Sequence, residues 1–303
     1  MTKKVLSIYI FSYNRVKFLA NAIESCLNYS LPFDLTIIDD NSSDPETKNL
    51  LRNLPDKVAL IQPLQEKNMR HGGLYNNMQM ALESSKSDWV LFIQDDMQLV
   101  RPLEEDDYQY IEGFFQQFPK KAFLNPVFLK GQRHKRNQRI TYLNNDFPCY
   151  FRNSSGKKHQ TGFSYTDVFL AHRTRLLDKH WVFSLSENEN SLQAKEKFGL
   201  MGFMASPFVM YLPQVPVYRG KYKTLAVKLA EKWSGSDPKS FIEKNKNFWN
   251  QFKSRDLNNL PTAENYLECI DKEIKKPYQY STVNNYIFLR VIHKFELLWN
   301  SIK

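Results

Sequence analysis

Cysteine is scarce in this chain and carries no pattern. The 303 residues hold three, Cys26, Cys149 and Cys269, with no CxxC and no metal-ligand spacing. That argues against a disulfide framework and fits a reducing compartment. Long apolar runs are also missing, and nothing approaches the roughly 20 residues that span a bilayer. The short run Val5 to Phe11 behind two N-terminal lysines alternates with polar residues and lacks a small-residue cleavage site, so it is not expected to act as a signal peptide. The histidines show no HExxH or paired-ligand spacing and read as scattered surface or core residues. No internal repeat or low-complexity tract is visible.

Aromatics and positive charge are plentiful. The chain has 22 Phe and 16 Tyr, enough to bury large faces or to present stacking surfaces for sugars or membranes. Lys and Arg exceed Asp and Glu to give a formal charge of +10. Such a field favours acidic partners, whether nucleic acid, anionic lipid or phosphorylated small molecules, or simply keeps the surface soluble. The basic stretch 130–139 lacks interleaved aromatics, so nucleic acid is not an expected partner.

The first hundred residues alternate apolar runs with helical spacing. Strands are expected at 5–11, 35–38, 58–62 and 89–94, and helices at 18–27, 45–54 and 76–85, with Asp44 as N-cap and Pro45 in the first turn. This alternation implies a mostly parallel, doubly wound sheet flanked by helices. Ligands of such sheets bind beyond the carboxyl ends of the strands, so the polar turns after Phe11, Ile38 and Gln94 should meet in one crevice. Farther on, a helix is expected at 108–118, a strand at 122–129, a basic loop at 130–139 and a polar loop at 152–162. A strand-like TDVFLAH, an acidic turn running into a helix that ends near Gly199, and a last strand in ASPFVMYLP follow. Beyond Lys223 four amphipathic helices mix Lys with Phe and Trp, and a boundary is placed near 224.

Two of the expected strand ends are acidic. Asp95 and Asp96 follow WVLFIQ, where two neighbouring carboxylates are costly to bury without compensation. There they can hold a divalent cation whose shell a substrate's phosphates complete; alone, the pair would also suit a solvated turn. Asp39 and Asp40 end the second strand, where one carboxylate can accept hydrogen bonds from a base or a ribose.

The blocks VLSIYIFSYNR, LTIIDDNSSD, NMRHGGLYNNMQMALESSKSDWVLFIQDDM and TDVFLAHRTRLLDKHWVFSLSENENSLQAKEKFG resemble, in order and spacing, the family-2 glycosyltransferases over roughly 5–220. The resemblance implies an α/β GT-A fold, with a Rossmann-like nucleotide-binding half at 1–100 and an acceptor half at 101–224 in one domain. A basic amphipathic helical extension follows at 225–303. It also implies inverting transfer from a nucleotide-diphosphate sugar, with a UDP-sugar favoured, to a glycan or lipid-linked acceptor in surface polysaccharide or glycoconjugate synthesis. By position, Ser12, Tyr13 and Arg15 would border base and ribose, and Asp40 or Asp39 would read the base. Asp96 would bind Mn²⁺ or Mg²⁺, Asp95 would lie near the ribose or donor sugar, and Arg70 would face the diphosphate. Asp167 resembles the acceptor-side aspartate, and Trp181 could stack on a sugar or pack in the core. Two positions depart from the family: Gln94 stands at the first acid of DXD, and Asn188 stands at the aspartate of the catalytic pair. The base is then Glu189 or Glu187, with Glu189 slightly preferred at the helix start, although a cap would explain both.

Two other readings remain. One is a catalytically impaired protein of this fold that binds sugar nucleotide or glycan. The other is a nucleotidyltransferase, disfavoured because the turn after the first strand reads SYNRV rather than a Gly-rich phosphate loop. The expected location is cytoplasmic, with possible peripheral binding of residues 225–303 to an anionic membrane surface.

Overall fold

The first apolar run folds as β1 (Leu6–Ser12), every residue of which is buried. Its side chains alternate between two layers. Ile8 and Ile10 join one core with Phe18, Leu19 and Ile23 of α1 (Val16–Leu27). Tyr9 and Phe11 join another with Met78, Ala81 and Leu82 of a later helix. A strand covered on both faces must be apolar on both, which is why it reads as a run rather than an alternation. Each fully buried Ile or Phe contributes about 1.5–3 kcal/mol. The computed structural model describes residues 6–28, 33–63, 73–153, 161–216 and 222–302.

Next come β2 (Phe33–Asp39), α2 (Pro45–Arg52), β3 (Val58–Ile61), α3 (Leu74–Ser84) and β4 (Trp89–Gln94). Asp44 caps α2 by accepting from the Thr47 N–H at 2.8 Å, with Pro45 in the first turn, as expected. The first hundred residues therefore have their expected alternation, to within two residues at most boundaries.

The second half contains β5 (Met97–Leu99), α4 (Glu105–Gln117), β6 (Phe123–Asn125), α5 (His134–Ile140), β7 (Thr141–Leu143) and β8 (Cys149–Arg152). It continues with β9 (Phe169–His172), α6 (Arg173–Asp178), α7 (Glu187–Phe198), β10 (Gly202–Met204) and β11 (Val209–Tyr211). Nine strands form one sheet in the order β3-β2-β1-β4-β9-β6-β10-β8-β7, and β11 pairs with β5 beside it. β9 and β8 run against their neighbours, so the other seven strands share one direction. The fold class is thus the expected one, an α/β sheet, mixed but mostly parallel in direction, flanked by helices. Strand order reverses beside β1: β2 lies on one side and β4 on the other, which makes a topological switch point.

Three expectations are corrected here. The basic stretch 130–139 is not a loop: Gly131–Arg133 makes a 3₁₀ turn and residues from His134 form α5. The strand expected over 122–129 stops at Asn125, with isolated bridges at Val127 and Leu129. The C-terminal segment holds α8 (Leu225–Ser234), α9 (Lys246–Lys253), the four-residue α10 (Ala263–Tyr266) and α11 (Ile287–Ile302). Much of the stretch expected as four helices is therefore irregular.

That irregular part is threaded into the main core. Phe241, Trp249, Phe252, Leu267 and Tyr278 pack in the same cluster as β1 and α1. The Phe241 backbone exchanges two hydrogen bonds with the Gln98 side chain, at 2.8 and 3.1 Å. Lys253 reaches Glu104, Asp106 and Asp107 at 2.8–3.4 Å. It thereby closes a network around Arg101, a fully buried guanidinium that grips Asp107 at 2.6 and 2.8 Å. Burial alone would raise the Asp107 carboxyl, but Arg101 outweighs it and holds the group below the usual carboxylate range. Breaking such a pair from one side leaves an uncompensated buried charge, at a cost of about 3–5 kcal/mol. In contrast, α8, α11 and the turn at Thr282–Asn285 form a small cluster of their own around Val227, Ala230 and Leu289.

Candidate active site

Register brings the polar strand ends together. Ser12 lies opposite Asp39 and Phe11 opposite Gln94, so the turns after β1, β2 and β4 leave the sheet side by side. The Asp95 N–H donates to the Phe11 carbonyl at 3.1 Å, and the Asp40 N–H donates to the Ser12 carbonyl at 2.9 Å. Asn14, in the left-handed region at φ 50°, receives the Ser43 and Asp44 N–H groups on its side-chain oxygen at 2.8 and 2.9 Å. The three turns therefore meet, cross-linked by side-chain-to-backbone bonds that satisfy the turn amides.

The four aspartates at these ends have separate roles. Asp39 is fully buried and bonded within its own turn, accepting from the Ser42 N–H, the Ser42 hydroxyl and Gln62 at 2.5–3.1 Å. It has no surface left for a base. Asp40 accepts from the Gly73 N–H at 2.9 Å and from Asn77 at 3.4 Å, at the start of α3. A β-carbon at residue 73 would stand 2.6 Å from that carboxylate and would push it aside. Asp95 is buried and accepts from the Ser12 hydroxyl at 3.2 Å, the Tyr13 N–H at 3.4 Å and Arg15 at 3.0 Å. Burial pushes its carboxyl up to about 6, against the pull of Arg15.

Asp96 is the less buried member of the pair. Arg15 touches its Oδ2 at 3.4 Å, while its Oδ1 is buried with no hydrogen-bond partner among the described residues. An orphaned carboxylate oxygen facing a crevice is costly unless a cation or a donor meets it. A single divalent cation at Asp96 Oδ1 fits, provided phosphate oxygens complete the shell. No group of three or more His, Cys, Asp or Glu residues that could hold an ion exists among the described residues. Arg15 bridges Asp95 and Asp96 and donates to the Pro216 carbonyl at 2.5 Å. Arg70 lies outside the described residues.

Across the crevice sit Asp167, ahead of β9, and Glu187, the first residue of α7. Both oxygens of Asp167 accept from the Tyr75 hydroxyl at 3.1 Å. Burial raises Asp167 to about 6. Burial, then the neighbouring Asp167 charge, raises Glu187 to about 7. Glu189 differs: it is exposed, and its N–H takes the Ser186 hydroxyl at 3.2 Å as the third residue of a capped helix start. Asn188 keeps its side-chain oxygen buried without a partner among the described residues.

Trp181 is not a stacking platform. It is 2% exposed and packs edge-on against Phe123 at 5.1 Å and Phe183 at 5.5 Å, so it is a core residue.

Two residues that sequence reasoning passed over join the two sides. Lys130 lies over the Tyr211 ring at 3.8 Å and the Tyr280 ring at 4.7 Å. Burial pulls its ammonium down to about 8, although Asp96, Glu187 and Glu264 all favour the charged form. Tyr211 is half-buried near Asp96, Glu187 and Asp167, and burial with those three charges keeps its phenol protonated. Asp96, Lys130, Tyr211 and Glu187 thus feel one another electrostatically across one space.

The acidic ends of β2 and β4 thus lie at the switch point of an α/β sheet, with the half-buried Asp167 and Glu187 near enough to act on Tyr211 together with Asp96. Residues 7–152, just under half of the chain, match the family model described as glycosyl transferase family 2. No curated protein sequence matches it.

Among solved structures, S. aureus TarS 1-349 in complex with UDP-GlcNAc is 13% identical, at a TM-score of 0.48, over 82% of this chain and 70% of that one. A second structure of S. aureus TarS is 12% identical at a TM-score of 0.44 and is covered over only 42% of its own length, against 82% of this chain. The mannosyltransferase PcManGT of Pyrobaculum calidifontis, in complex with GDP-Man and Mn²⁺, is 12% identical at a TM-score of 0.45, over 68% of this chain and 58% of that one. Likeness at this level carries no argument about ligands.

Proposed function

We propose that the chain transfers a sugar from a nucleotide-diphosphate sugar, with a UDP-sugar favoured, to a glycan or lipid-linked acceptor by a single inverting displacement. Its setting would be surface polysaccharide or glycoconjugate synthesis. The observation that carries this reading is the pairing of Asp96, with its unpartnered oxygen, and Glu187, held near neutrality on the opposite wall.

In this reading the acceptor hydroxyl gives its proton to the Glu187 carboxylate, while the Asp167 hydrogen bond to Tyr75 fixes the acceptor wall. A base poised near the working pH suits proton abstraction. Ser12, Tyr13 and Arg15 act through Asp95 by holding it rigid, and Asp40 anchors the start of α3 at the edge of the nucleotide site. Asp96 would hold Mn²⁺ or Mg²⁺. Such an ion supplies positive charge to the departing diphosphate.

Binding without transfer is the second reading. It is favoured by the amide Asn188 standing at the family's acidic position. A panel of nucleotide sugars, assayed for nucleoside diphosphate release with an acceptor mixture and Mn²⁺, separates the two. Turnover of one donor is the expected result. Tight binding of a donor with no release of diphosphate from any would leave the binding reading.

We also propose that α11 docks the enzyme on an anionic membrane. No described helix is long and apolar enough to cross one. Yet Ile287, Val291, Phe295 and Trp299, spaced four apart, line up on one face of α11 and are exposed, Phe295 at 67% and Trp299 at 65%. Arg290 and Lys294 lie on the same helix, and Lys228 and Lys232 on α8, which packs against it. An apolar stripe flanked by cations is the pattern of an interfacial helix. The full chain should float with vesicles containing phosphatidylglycerol, and the double variant Phe295→Glu, Trp299→Glu should lose most of that binding. Full-length chain left in the soluble fraction would reject the docking.

A further inference from the structure

A cavity of about 360 Å³ opens between the residues after β6, α5 and the strands β8 and β10, and Glu187 forms part of its wall. Four cations line it: Lys130, Arg133, Arg136 and Arg152. Glu187 is the only carboxylate among the lining residues. Arg133 and Arg136 are three apart where the 3₁₀ turn runs into α5, so they share a face. The Arg152 guanidinium is fixed from two sides, donating to the Gly162 carbonyl at 2.9 Å and lying over the Phe203 ring at 4.2 Å. Its Nε is buried and has no partner among the described residues.

None of the three arginines forms an ion pair with a carboxylate among the described residues. The burden is visible at Arg152, which burial and then the charges of Arg136 and Arg133 lower to about 10. Like charges gathered in a concave, partly desolvated space repel one another unless an anion joins them.

Guanidinium groups in a fork match the oxygens of a phosphate. We propose that this cavity binds a phosphate group of the acceptor, placing it beside Glu187 so that a hydroxyl a short distance along the same acceptor reaches the base. The volume, at the lower end of the range for small-ligand sites, suits one phosphate and part of the unit that carries it. No residue of the turns after β1, β2 and β4 lines the cavity, although Lys130 and Tyr211, which do, also feel the Asp96 charge; UDP that competes with inorganic phosphate for this site would assign it to the donor's diphosphate and overturn the acceptor role. This inference rests on the transferase reading for the word acceptor, but not for the anion site itself.

Inorganic phosphate titrated calorimetrically into the full chain should saturate one site. The double variant Arg133→Gln, Arg136→Gln should weaken that affinity at least tenfold. Both side chains are exposed, so their loss should leave the fold intact. The double variant Lys135→Gln, Arg139→Gln removes the same charge from exposed positions of α5 that do not line the cavity, and it should bind phosphate as the parent does. In transfer assays, a lipid-linked phosphate acceptor or a soluble phosphodiester polymer should be used at a KM at least tenfold below that of a neutral oligosaccharide. Preference for either of these tells which source supplies the phosphate. Equal effects of the two double variants on phosphate binding would overturn the site. Equal use of neutral and phosphorylated acceptors would overturn its role. UDP binding, measured separately, tests the transferase reading, so phosphate binding without UDP binding would sink that reading and leave the anion site standing.

Discussion

Replacing Glu187 by Gln is expected to lower kcat by about 10²–10⁴-fold while leaving UDP affinity within about twofold. The amide keeps the shape and loses the basic lone pair. Glu189→Gln should change turnover little, because the cap contact at that residue uses its backbone N–H and the Ser186 hydroxyl. The pH profile gives a second readout. Only the deprotonated Glu187 accepts a proton, and burial with the Asp167 charge raises its pKa to about 7. Below that pH kcat/KM should therefore fall about tenfold per unit as the base protonates, and above it the rate should level off. A rate that stays flat from pH 5 to 8, or a glutamine variant that still turns over, would remove Glu187 from the role.

Asp96→Asn is expected to cost about two decades or more in kcat/KM. Charge stabilisation by a bound ion supplies several kcal/mol to such displacements, and each 1.36 kcal/mol is about tenfold in rate. The variant should also need more Mn²⁺ to reach half-maximal rate, and added Mn²⁺ should no longer tighten UDP binding. Asp95→Asn tests a different property, since that carboxylate is bonded to Ser12, Tyr13 and Arg15. Its loss loosens the turn after β1 rather than removing a ligand. Parent activity that survives a chelator unchanged would end the metal role assigned to Asp96.

The first half was legible because β1, β2 and β4 are largely buried on both faces. WVLFIQ reads as a strand, and it ends at the residue expected, Gln94. The second half was less so. β8 and β10 have four and three residues, too short for any period to register. α5 was read as a loop because one side of it faces a charged cavity, so no apolar stripe marks it as a helix. Trp181 could not be assigned from sequence, since a buried and a sugar-facing tryptophan look alike there.

The choice between Glu187 and Glu189 was nearer to hand. Ser186 and Glu189 have the spacing of a capping pair, and Ser186 does cap α7 by accepting from the Glu189 N–H at 3.2 Å. Asp39 and Asp40 look equivalent in a string of letters. Only the turn, which folds Ser42 back onto Asp39, separates them.

One contact made by the C-terminal segment reaches beyond packing. Gly131 donates its N–H to Glu264 at 2.7 Å, and a β-carbon on residue 131 would collide with that carboxylate. Glu264 also accepts from the Tyr278 N–H at 3.0 Å. The turn that presents Lys130 and Arg133 is thus moored to residues more than a hundred positions later in the chain. A chimaera that exchanged the first 224 residues between two such proteins while keeping each native C-terminus would part the turn from its mooring. The turn that lines the cavity and the residues around Glu264 behave as one heritable unit, and recombination that alters one has to carry both.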